Sequence, residues 1–129
     1  MSMEAKVPGT ELESVVREVM DRWKAAIDAH EPSHVAELFA QDAIFQGLRP
    51  YSVGQQGVSD YYASQPRGMT VCYRVLETRQ IAADAVLAYL RADFSFPDQT
   101  TISVNIGVLV RQGGDGWRIA FYQASRINS

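Results

Sequence analysis

The feature that most constrains the fold is a change of hydrophobic period at Met69. Before it, apolar residues recur at helical spacing; after it, they alternate. Leu12, Val15, Val16, Val19, Met20, Trp23 and Ile27 share one helical face, and Glu13, Arg17, Glu18, Asp21 and Arg22 take the other, as in a helix packed on a core. Beyond Met69, the stretches 70–80, 85–94, 101–111 and 117–127 have the two-residue period of half-buried strands. A helix-rich half followed by a strand-rich half predicts an α+β domain with helices segregated to one face of a sheet.

The connections narrow the topology. Ala82-Ala-Asp84, Phe96-Pro-Asp-Gln99 and Gln112-Gly-Gly-Asp-Gly116 are turn-like and too short for parallel crossovers, so the four strands are expected to form an antiparallel meander. Upstream, a loose leader over residues 1–9 ends in Pro8-Gly9. Thr10 and Glu13 then have the spacing of a capping box, which predicts the start of the first helix. His30-Glu31 breaks that helix, and Pro32 suits the first position of a short second one that buries Val35, Leu38 and Phe39. A sharp turn at Gln41-Asp42, capped by Asp42, is expected to lead into a short strand ending at Gln46. A loop over residues 47–53 and a third helix carrying Val58, Tyr61 and Tyr62 follow. The predicted architecture is a cone-shaped α+β barrel: three N-terminal helices in the hollow of a strongly curved, mainly antiparallel sheet. Such an arrangement makes a pocket.

A chain of 129 residues supports one hydrophobic core, so residues 10–129 are read as a single domain. The net charge of −3, with both signs interspersed, leaves no footprint for nucleic acid or an anionic membrane. No apolar run approaches the roughly 18 residues of a membrane span. The lone Cys72 excludes an intramolecular disulfide and the polar start has no signal core, so the protein reads as cytoplasmic. The glycines of 112–116 serve a turn and imply no nucleotide cofactor. His30 and His34 straddle Pro32 with no companion motif to complete a metal site, so no metal is expected.

Strand polarity assigns faces. Val86, Ala88, Leu90, Ala92 and Phe94, and Ile102, Val104, Ile106, Val108 and Val110, are expected to face the helices. In the last strand Trp117, Ile119 and Phe121 point the same way and carry Gln123 and Ser125 to the rim of the cavity. The other face mixes Tyr89, Arg91, Asp93, Asn105 and Tyr122, a composition suited to a sheet-to-sheet homodimer. A one-residue slip would exchange the faces of any strand.

Three segments carry a resemblance: Leu38-Phe-Ala-Gln-Asp-Ala-Ile-Phe45, the helix pattern Gly54-x-x-x-Val58-x-x-Tyr61-Tyr62-Ala63, and the ending Trp117-Arg-Ile-Ala-Phe-Tyr-Gln123. In this order, over residues 11–127, they resemble the nuclear transport factor 2-like superfamily, in its branch of SnoaL-like polyketide cyclases and ketosteroid-isomerase homologues. The resemblance implies a cystatin-like cone. It does not fix the chemistry, because the superfamily holds isomerases, dehydratases, cyclases, epoxide hydrolases and binding or assembly modules. In the isomerases a general-base carboxylate stands five residues after the aspartate matched by Asp42, and here that position is Gly47. An oxyanion-hole tyrosine nineteen residues before it is replaced by Trp23. The supporting tyrosine of the third helix is matched by Tyr62, whereas the strand of the protonated aspartate reads Ile106-Gly-Val-Leu-Val110. The isomerase base and acid are therefore absent from the sequence.

The residues expected to line a hydrophobic pocket are Trp23, Ile27, Phe39, Phe45, Gln46, Tyr51, Tyr62, Phe121, Gln123 and Ser125, with Tyr62 and Asp42 as candidate catalytic groups. Trp23 can serve as core, as a stacking surface, or as both. Two functional readings follow. One is a small-molecule-binding protein with a pocket for an apolar or aromatic metabolite, with isomerase, cyclase or hydratase/dehydratase chemistry open to it. The other is a non-catalytic association or ligand-sequestering module.

Overall fold

The computed structural model describes residues 9–127. Helix α1 spans Gly9–Asp28 and buries Leu12, Val16, Val19, Met20, Trp23, Ala26 and Ile27, the stripe set by the helical period. Thr10 lies inside α1 rather than before it, so it does not cap the helix, and Glu13 pairs instead with Arg17 at 2.9 Å. Residues 1–8 of the expected leader lie outside the described residues. The chain leaves α1 through His30 in the left-handed region (φ 53°), a conformation histidine tolerates better than most residues, and then enters α2, Pro32–Glu37.

Strand β1, Phe39–Gln46, begins earlier than expected. There is no turn at Gln41-Asp42. The extra residues are absorbed by an irregularity in pairing between Phe39 and Ile44, where β1 runs beside the last strand. Asp42 therefore projects into solvent, 3.5 Å from Arg111, and caps nothing. Within the expected loop, Ser52–Val53 forms a short strand β2, paired with Ile44 and Phe45 of β1. Helix α3, Gln55–Ala63, buries Val58 and Tyr62.

The strands of the second half are β3 (Thr70–Ala82), β4 (Ala85–Ser95), β5 (Thr101–Gly113) and β6 (Gly116–Arg126). Their meander is antiparallel, as the turns require, and β1 adds to β6 in parallel, giving the sheet order β2-β1-β6-β5-β4-β3. The sheet is curved and unclosed, with β2 and β3 as its edges, and the helices pack on its inner face. Val86, Ala88, Leu90, Ala92, Val104, Ile106, Val108 and Val110 are buried there, as the alternation predicted.

The last strand departs from its simple alternation. Val110 pairs with Ile119 but Leu109 pairs with Phe121, so Ala120 is an unpaired bulge residue. One extra residue reverses every later side chain. Tyr122 and Ala124, not Phe121, Gln123 and Ser125, point inward, and Tyr122 is 2% exposed.

Helix α1 also secures the edge strand β3. Asp28 accepts the Val71 N–H at 3.0 Å while Lys24 donates to the Val71 carbonyl at 2.7 Å and to Asp28 at 2.7 Å. This clamp satisfies backbone groups that an edge strand would otherwise leave open. Among the described residues no helix is long and apolar enough to cross a membrane.

Candidate functional site

A recess of about 210 Å³ opens where the segment after β1, the end of α3 and the adjoining ends of β4, β5 and β6 meet. Its walls are apolar: Leu48, Met69, Phe94, Phe96, Ile102, Val104 and Ala124. Its polar groups are Arg49, Tyr61, Tyr62, Gln65 and Tyr122, with no carboxylate and no imidazole among the lining residues.

The inner wall is a phenol pair. The Trp23 indole N–H donates to the Tyr62 hydroxyl at 3.3 Å, and the buried Tyr122 phenol lies beside Tyr62. Burial is the main cause that pushes both phenols above the ordinary tyrosine value of 10, so both are neutral donors at neutral pH. Trp23 can only donate, so Tyr62 accepts in that bond and its own proton is not used by it. Both phenols line the cavity.

Tyr61 explains what the sequence could not. Its hydroxyl accepts the Leu48 N–H at 3.0 Å, and its ring packs edge-on to Phe45 and Tyr62 at centroid distances of 5.1 and 5.0 Å. A Cβ at Gly47 would lie 2.6 Å from Tyr61 Cε2 and closer still to Cζ. The place where a base-bearing side chain would leave the backbone is filled by this ring.

Of the residues expected to line the pocket, Tyr62 does so. Trp23, Ile27, Phe39 and Phe45 are buried core behind it. Trp23 meets Tyr73, Phe94 and Tyr122 at 6.0–6.3 Å, and Phe45 stacks on Tyr122 at 4.9 Å. Gln46 pairs with Gln123 across β1 and β6, Tyr51 is 66% exposed outside the recess, and Phe121, Gln123 and Ser125 are turned away by the bulge. The Asp42 carboxylate is exposed on β1 and does not line the cavity. Sequence reasoning missed Arg49, which sits in a segment with no period, and Tyr122, which it placed on the outer face. It noticed Tyr61 only as a helix residue.

A curved sheet holding three helices, with a recess at one end lined by helix and strand side chains, defines a cystatin-like α+β cone. The SnoaL-like domain family model matches residues 16–129, and the chain belongs to that family, within the nuclear transport factor 2-like superfamily. No curated protein matches the sequence significantly. Solved structures share the fold. A domain of unknown function with a cystatin-like fold from Nostoc punctiforme superposes with a TM-score of 0.81 at 18% identity, covering 95% of this chain and 81% of that one. A ketosteroid isomerase-like protein from Erwinia carotovora atroseptica gives 0.77 at 21% identity, covering 92% and 98%. A protein described as a calcium/calmodulin dependent protein kinase II association domain, from Xanthomonas campestris, gives 0.77 at 14% identity, covering 100% and 94%. At these identities the likeness is one of fold.

Proposed function

We propose that this protein binds a small apolar or aromatic metabolite in the recess beside Tyr62. The observation that carries the reading is the combination of apolar walls with the Tyr62 phenol, which accepts from Trp23 and so keeps its own proton for a ligand. Such a wall accepts a ring or branched chain and fixes one oxygen on it. Proton abstraction by a carboxylate in the ketosteroid-isomerase manner has no support here, because no lining residue is an acid and Tyr61 fills the space beside Gly47. Any turnover rests on the neutral phenol pair polarising an oxygen of the ligand. On this reading Asp42 is no catalyst.

The proposal includes a cytoplasmic homodimer. Val53, Ile44, Leu87 and Tyr89 are 61%, 45%, 40% and 45% exposed; Val53 pairs with Ile44, and the strand registers of Ile44, Leu87 and Tyr89 place them on the outer face of the sheet. This exposed apolar face also supports the second reading, an association module that works through the outer sheet.

Tryptophan emission tests the reading. With Trp117→Phe as the background, Trp23 reports from directly behind Tyr62. Saturable change with small aromatic compounds, lost in Tyr62→Phe, is the expected result. A flat response to all of them, with no heat of binding by calorimetry, overturns the ligand reading and leaves association.

A further inference from the structure

The recess is electrically one-sided. Arg49 stands at its mouth, exposed, with no ion pair or hydrogen bond to another described residue. The other polar lining groups are three phenols and the Gln65 amide, whose N–H is directed to the Tyr61 carbonyl at 3.4 Å. The Tyr61 hydroxyl accepts from Leu48 and the Tyr62 hydroxyl from Trp23, so neither bond uses the phenol's own proton. Donors and one cation therefore surround an apolar space that no negative charge lines. Among the described residues, arginines at 17, 22, 79, 91, 111 and 118 are matched by carboxylates. Arg49, like Arg67, Arg74 and Arg126, faces none, and of these four it alone lines the recess.

Size sets a second limit. At about 210 Å³ the recess exceeds the roughly 150 Å³ that admits one benzene ring and falls short of the roughly 300 Å³ at which pockets for larger ligands begin. A four-ring skeleton does not fit inside it.

We propose that the ligand is a small single-ring monocarboxylate. Its ring lies against Met69, Phe94 and Ile102, and its carboxylate meets the Arg49 guanidinium at the mouth, where fork geometry favours a carboxylate over other oxygen groups. An oxygen substituent on the ring accepts the Tyr62 O–H. This inference rests on the recess being the ligand site, and the test separates the two.

The probes are phenylacetate and 2-phenylethanol, which share a ring and differ in charge, titrated at neutral pH and low salt into the wild type and Arg49→Met by calorimetry. Arg49 is exposed in a connecting segment, so Arg49→Met leaves the core intact, which circular dichroism checks. Expected is binding of phenylacetate about tenfold tighter than of the alcohol in the wild type. In Arg49→Met the two affinities converge, the alcohol's being unchanged. Equal affinities in the wild type, or a preference that survives Arg49→Met, overturn the carboxylate assignment while the recess remains a ligand site. If neither probe binds the wild type, both the assignment and the ligand reading fall.

Discussion

Gly47→Ala adds one methyl group in a place where a single side chain opposes it. Gly47 does not have a left-handed φ, so alanine meets no backbone strain there. By itself the change would stabilise the chain by about 0.4–1 kcal/mol through the unfolded state. The added Cβ, however, would lie 2.6 Å from Tyr61 Cε2. Tyr61 cannot swing clear without loosening its edge contacts to Phe45 and Tyr62 and its hydrogen bond from Leu48. Each aromatic pair is worth about 0.5–1.5 kcal/mol, and overpacking costs about 1–3 kcal/mol. A net loss of about 2 kcal/mol is expected, read as a lower urea midpoint at unchanged slope. In a Tyr61→Ala background the obstacle is gone, and Gly47→Ala should become neutral or mildly stabilising. The coupling between the two sites is then about 2 kcal/mol. A Gly47→Ala that is neutral in the wild type, or equally harmful without the Tyr61 ring, refutes the account of why this position carries no side chain.

Asp28→Ala should lower stability by about 1–3 kcal/mol, because it strands the Val71 N–H and releases Lys24; faster amide exchange at Val71 checks that the loss is local. Alkaline pH should be destabilising. Tyr62 and Tyr122 keep their protons in the folded state above pH 10, where the unfolded chain releases them, so stability intact below that pH falls as pH rises past it. Each of these two buried tyrosines adds about 1.4 kcal/mol per pH unit to the slope, on top of any share from Tyr73, whose phenol is also raised by burial and by Asp21, and urea titrations at stepped pH should show the slope fall by one tyrosine's share in Tyr62→Phe. Ile44→Lys combined with Leu87→Glu should convert the proposed dimer to a folded monomer, read by light scattering with circular dichroism unchanged. A dimer that survives both charges places the interface elsewhere.

Legibility followed local regularity. The stripe from Leu12 to Ile27 could be read because α1 is uninterrupted, and the faces of β4 and β5 because their alternation is strict. The face of β6 could not be read beyond Ile119. The bulge falls at Ala120, between two apolar residues, and nothing in composition distinguishes it from a regular strand position. That one residue removed Phe121, Gln123 and Ser125 from the inner face and brought Tyr122 in. The turn expected at Gln41-Asp42 failed for a related reason, since the pairing of β1 with β6 overrides local turn preference. Tyr62 was legible through the resemblance. Its partnership with Trp23, 39 residues away, joins a side chain of α1 to one of α3 across the interior. Arg49 lies between Gly47 and Pro50, where no period exists to assign a direction.

The most direct test of the recess as the working site is a methyl-resolved NMR titration with phenylacetate. Saturable shifts at Met69, Ile102 and Val104, with Ile44 and Leu87 on the outer face unmoved, are the result this account predicts. Shifts confined to Ile44 and Leu87, or none at any methyl group, would contradict it.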